Sequence, residues 1–222
     1  MWLIDSSIGR KVIMSVTGLF LVLFLIFHMS MNVTAIFSGE TYNDICGFLG
    51  ANWYALAGTM VLAAGVVLHI VFAFILSYRN YKARPIGYST QKNQKEVELA
   101  SQNMLVLGLI ILLGLGVHLS HFWAKMQLPE ILGATPAYEG EFTNGAELIK
   151  ITFSNLGICV GYIVWFFVIW FHLTHGIWSA FQSTGLDNKV WFPRLKMCAN
   201  ILSTIIFLGF TAVVVAGYLQ SN

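Results

Sequence analysis

Six histidines occur in this chain: His28, His69, His118, His121, His172 and His175. Imidazole is both a titratable group and a metal ligand, so this set invites proton transfer, metal binding or ligation of a cofactor. Its setting narrows the choice. With Asp, Glu, Lys and Arg marked along the sequence, five stretches carry no charge, 12–39, 45–78, 99–124, 151–186 and 197–222, and every histidine lies in one of them. Ionisable side chains are costly in an apolar medium, and where they occur there they mark sites.

Four of the six form two HxxH pairs, His118 with His121 and His172 with His175. Residues three apart share a helix face one turn apart, so one pair cannot fill opposite axial positions of a single metal. Each pair therefore offers one ligand and one neighbour, and spacing alone does not say which is which. The neighbour is free to hydrogen-bond a propionate, a carbonyl or a quinone, or to pack.

The elements that must position these groups follow from the same five stretches. Each exceeds the roughly 20 residues that cross a ~30 Å hydrocarbon layer. Lipid leaves exposed backbone groups unsatisfied, so each must be helical. The predicted helices run over about 12–36, 54–78, 101–124, 156–180 and 199–219. A soluble domain is excluded by 57% apolar against 10% charged residues and by a mean hydropathy of +0.74. The expected fold is all-α, a single transmembrane domain over 1–222 with five spanning helices. The first stretch is too long for a cleaved signal peptide and lacks a small-residue cleavage site. A net charge of +2 gives no footing for nucleic acid, and the widely spaced Cys46, Cys159 and Cys198 make neither a disulfide framework nor a CxxC site.

Orientation follows from the basic residues. Arg10, Lys11, Arg79, Lys82, Arg84, Lys92, Lys95, Lys189, Arg194 and Lys196 lie on the side holding the N-terminus, against Lys125 and Lys150 on the other. That bias predicts a cytoplasmic N-terminus and a C-terminus outside.

Depth then sorts the histidines. The first and third helices run outward, placing His28, His118 and His121 past their midpoints in the outer half. The second and fourth run inward, placing His69, His172 and His175 in the inner half. Two layers result, each drawing on two helices, so a planar macrocycle between facing helices receives one imidazole from each side. Two stacked, non-covalent bis-histidine haem b groups satisfy this economically, enclosed by four of the five helices. Their irons would be separated by about 10–15 Å along the membrane normal, a distance suited to electron transfer. No CxxCH is present for covalent attachment.

The rival from another class is a histidine-lined metal transporter, which would favour Asp or Glu along its path, and no span contains either. Propionates would need donors: Arg79, Arg84, Ser15 or Thr17 for the inner group, and Ser30, Asn32 or Lys125 for the outer one. Glu40, Asn43, Asp44 and His121 are polar groups available to a quinone near the outer layer.

Four segments carry a family resemblance: SSIGRKVIMSVTGLFLVLFLIFHM at 6–29, VVLHIVFAF at 66–74, GVHLSHFW at 116–123 and FHLTHGIWSAFQ at 171–182. Together they resemble the dihaem cytochrome b membrane-anchor subunit of succinate dehydrogenase and fumarate reductase, with the likeness covering essentially the whole chain. It implies His28 with His118 on the outer haem, His118 standing in the VHL position. It also implies His69 with His175 on the inner haem, since His175 precedes a glycine.

The same resemblance implies partners: a flavoprotein subunit with FAD and an iron-sulfur subunit, on the cytoplasmic face of a bacterial inner membrane. A dimer of such complexes is compatible with it. The chain itself has no GxGxxG beside a predicted strand and no cysteine cluster, so its part is electron transfer to or from a quinone, menaquinone by resemblance. The basic segment 79–98 with Lys189, Arg194 and Lys196 is the candidate docking surface. Within redox chemistry, a dihaem subunit of a formate dehydrogenase or nitrate reductase is the alternative.

Overall fold

A computed structural model of the chain describes residues 6–50, 52–83, 99–138, 140–184 and 188–222. These residues form nine α-helices and no strand. The helices are α1 (Ser7–Phe37), α2 (Gly39–Phe48), α3 (Trp53–Ala83), α4 (Leu99–Gln102), α5 (Met104–His121), α6 (Gln127–Ile131), α7 (Gly145–Phe153), α8 (Leu156–Ala180) and α9 (Trp191–Ser221). Helices α1, α3, α5, α8 and α9 are long and apolar enough to cross a membrane. Below, the end of the bundle where α1 begins is the N-side and the opposite end the far side.

Local chemistry sets the ends. Ser6 caps α1 by accepting from the Gly9 N–H at 2.9 Å. Ser38 works twice: its backbone N–H closes α1 on the Thr34 carbonyl, and its hydroxyl accepts from Thr41 N–H at 3.1 Å to open α2. Asn144 caps α7 through the Glu147 N–H, and Asn155 caps α8 through Gly157 and Ile158. Helix α1 runs through Arg10, which is 6% exposed, and α9 begins before Arg194 and Lys196 rather than at 199. Charge ends the stretch that suits lipid but leaves the helix free to continue. Asn103 interrupts the third predicted helix, separating α4 from α5.

Packing is uneven. The core follows α8, with Cys159, Tyr162, Phe166, Ile169, Leu173 and Ile177 buried at three- and four-residue spacing. Helix α9 answers with Ala199, Ser203, Ile206, Phe210, Val213 and Val214. Helix α1 packs against α3, α8 and α9, and α5 against α8, while α3 and α5 barely meet. Accordingly α3 buries only Gly65 and Phe72, and α5 only Leu107. Close approach is arranged by glycine: the Phe20 ring of α1 lies where a Gly65 side chain would be, and the Trp165 indole of α8 fills the position beside Gly114 of α5. The short helices α2 and α7 cover the far side, joined by Asn43, which donates to Asn144 Oδ1 at 3.1 Å and accepts from Ala146 N–H at 3.0 Å.

Candidate functional site

Four of the six histidines meet across helices in twos. On the far side, the rings of His28 (α1) and His118 (α5) stand edge to face with centroids 5.7 Å apart. On the N-side, His69 (α3) and His172 (α8) stand edge to face at 6.5 Å. The first pair is the one the sequence implied. In the second, the ring across from His69 belongs to His172, whereas His175 sets its ring against Trp178 at 4.8 Å. The spacing of HxxH had left that choice open, and the glycine after His175, on which the resemblance had chosen it, faces open space.

The far-side pair lies among aromatic rings. Phe24 stacks on His28 at 5.2 Å, Phe210 of α9 approaches it at 5.7 Å, and Phe122 and Trp165 flank His118 at 5.2 and 5.9 Å. Asn32 sits one turn beyond His28, donating to the His28 carbonyl at 2.8 Å, with the same amide nitrogen 3.4 Å from His28 Nδ1. Its oxygen accepts from the Tyr42 hydroxyl of α2 at 2.9 Å. Burial, and then the neighbouring Cys46, push the Tyr42 hydroxyl far above its ordinary range, and burial pushes the Cys46 thiol up to about 11. His121, the other member of its HxxH pair, stacks on Tyr162, with Nδ1 3.1 Å from the phenol oxygen.

The N-side pair is held differently. Thr17 Oγ1 lies 3.3 Å from His69 Nδ1, and the imidazole passes beside the next residue, Gly18. Among the described residues, His69 and His172 make ring contact only with each other; Trp178, beside Phe192, packs on His175, with Lys196 Nζ 4.8 Å over each of the two rings.

Two features bear on whether haem fits between these rings. A metal–nitrogen bond is about 2 Å, so two imidazoles bound to opposite faces of one iron have centroids roughly 6 Å apart. The observed 5.7 and 6.5 Å bracket that distance. In addition, His118 Nδ1 and His172 Nδ1 are buried without a hydrogen-bond partner among the described residues, one in each pair. Buried polar atoms are normally satisfied, so each pair contains a nitrogen that calls for a further group. In spacing, each pair is compatible with two axial ligands of one haem iron. Among the described residues, no group of three or more His, Cys, Asp or Glu is placed to hold a metal ion.

The remaining expected site residues are dispersed. Ser15 lies half-buried on α1, and Arg79 is exposed near the N-side end of α3. Thr17, expected among propionate donors, is instead at an imidazole. Ser30 donates to its own helix at the Ile26 carbonyl, Lys125 is exposed beyond α5, and Glu40 and Asp44 are exposed on α2. Arg84, Lys92 and Lys95, with most of the docking segment 79–98, lie outside the described residues. Tyr42, Tyr162, Trp165 and Phe210 were missed by sequence reasoning. Asn32, four residues after His28, was the signal within reach, because i and i+4 share a face.

No protein-family model, curated protein or solved structure matches the chain.

Proposed function

We propose that this chain is the membrane-anchor cytochrome b subunit of a succinate dehydrogenase or fumarate reductase complex, carrying electrons between a cytoplasmic iron-sulfur subunit and a membrane quinone, menaquinone by resemblance. The observation that carries the reading is the pair of cross-helix imidazole contacts at axial spacing, one in each half of a five-span bundle. The four sequence segments that resemble this family contain all six histidines.

In this reading His28 and His118 hold one haem b and His69 and His172 the other. Bound haem supplies reversible one-electron chemistry, with its potential set by axial ligands, hydrogen bonds and burial. Phe24, Phe210, Phe122 and Trp165 exclude water from the far-side pair and fix the planes of its rings. Thr17 and Gly18 do this for His69 with far less aromatic cover. His121 and Tyr162 place a paired imidazole and phenol beside His118, where a quinone exchanging protons would need them. The flavoprotein and iron-sulfur subunits supply the dicarboxylate chemistry, which this chain has no residues for.

The test is co-purification. A tagged chain from its native membrane should bring down two partners carrying FAD and iron-sulfur clusters, and the complex should couple succinate or fumarate to a quinone. Partners that oxidise formate or reduce nitrate would move the chain to another respiratory complex.

A further inference from the structure

The N-side pair contains a hydrogen-bond arrangement that bears on a tautomer. Thr17 is 8% exposed, and its hydroxyl oxygen has three neighbours: the Ile13 carbonyl at 2.8 Å, the Met14 carbonyl at 3.1 Å and His69 Nδ1 at 3.3 Å. A hydroxyl has one hydrogen and two lone pairs. The hydrogen has three possible acceptors, and the Ile13 carbonyl is the nearest, at 2.8 Å against 3.3 Å for Nδ1, so the hydrogen goes there, as helical threonines commonly arrange. A lone pair is then what Thr17 presents to His69. Two lone pairs facing each other in a buried site would leave both acceptors unsatisfied, so Nδ1 must bring the proton. A neutral imidazole has only one, which leaves Nε2 bare.

We propose that Thr17 is a positioning residue for His69: its hydroxyl oxygen accepts from Nδ1–H and so keeps Nε2 as the unprotonated nitrogen, the one able to ligate. Metal-bound histidines typically donate their second N–H in this way, which fixes the ring and raises its basicity. The far-side pair lacks the device. Asn32 accepts from Tyr42 through its oxygen and donates to the His28 carbonyl at 2.8 Å, with its amide nitrogen 3.4 Å from His28 Nδ1, so no hydroxyl acceptor faces that ring. The use of Nε2 as an iron ligand rests on the proposed function, but the tautomer does not.

The chain, labelled with 15N-histidine and placed in lipid nanodiscs without haem, reports the tautomer directly, with His69→Gln assigning the signal. The expected result is protonated Nδ1 and bare Nε2 at His69 in the wild-type chain, the same in Thr17→Ser, and loss of that preference in Thr17→Val and Thr17→Ala. A protonated Nε2 in the wild-type chain, or no change in both Thr17→Val and Thr17→Ala, would overturn the proposal. In the haem-loaded complex, Thr17→Val should raise the midpoint potential of the one haem that His69→Ala removes, because a less basic imidazole favours the ferric state less. The other haem should not move, and Thr17→Ser should restore the wild-type value. Equal shifts at both haems, or none, would count against it. A chain that never binds haem would defeat the proposed function while leaving the tautomer result to stand by itself.

Discussion

The two histidine pairs share a plan and differ in everything around it. The far-side pair is walled by rings from α1, α8 and α9 and by Phe122 just past α5, and is tied through Asn32 and Tyr42 to the covering helix α2. The N-side pair sits beside a threonine and a glycine of α1, and among the described residues its rings contact only each other. In the proposed reading, identical ligands in unlike surroundings would make the two haems inequivalent, since hydrogen bonding and burial tune a haem as much as its ligands do. The difference teaches that histidine spacing speaks to where a cofactor could be held, while the neighbours speak to how it would behave.

The largest expected effect tests the pairing itself. His28→Ala or His118→Ala should each remove one haem, and His69→Ala or His172→Ala the other, halving the haem content per chain. His121→Ala and His175→Ala should keep both. Loss of a haem in His175→Ala with retention in His172→Ala would favour the His69–His175 assignment that the resemblance implies.

Next in size are substitutions where helices approach closely. Gly114→Ala places a methyl group against the Trp165 indole, and overpacking of this kind costs about 1–3 kcal/mol. Trp165 also borders His118, so the loss in thermal stability in detergent should come with a spectral change in the far-side haem alone. Gly209→Ala meets the flexible Met29 side chain, and its effect should be smaller. Equal destabilisation by the two would show that the rigid indole is not what limits approach.

Tyr42→Phe removes the hydroxyl that donates to Asn32, a change of about 1 kcal/mol. Its signature should be a shift in the midpoint potential of the haem that His28→Ala removes, with the other unmoved. A shift in both would mean that α2 acts on the bundle as a whole.

How far these features could be read in advance depends on which signals the chain writes plainly. The five spans are legible because lipid excludes charge, so the absence of Asp, Glu, Lys and Arg marks them. The same signal misplaces ends, as at α9, whose first turn carries Arg194 in water over the Trp191 ring. It is silent about α2 and α7, which lie among charged residues. Asn144 followed three residues later by Glu147 was a capping signature there that composition could not reveal. Histidine layers follow from helix rise alone, but the choice between His172 and His175 turns on helix rotation, which depends on what packs behind α8. Thr17 was legible as polar and near the inner layer, while its role required knowing which face α3 turns toward it.

The smallest expected effect concerns α2. Because burial holds the Cys46 thiol up to about 11, it should stay protonated through neutral pH and react with iodoacetamide far more slowly than the exposed Cys198. Folding raises this pKa above the ordinary thiol value, so the folded state keeps its proton to higher pH. Stability should therefore fall as pH rises through the alkaline range toward 11. Equal alkylation of the two cysteines at pH 8 would show that α2 does not stay seated on α7.

The most direct measurement is the haem-to-polypeptide ratio of the purified chain or complex, taken with its reduced-minus-oxidised spectrum. Two non-covalent b-type haems per chain, both low-spin, is the predicted result. Bound zinc without haem, or high-spin haem with a vacant axial position, would contradict the account.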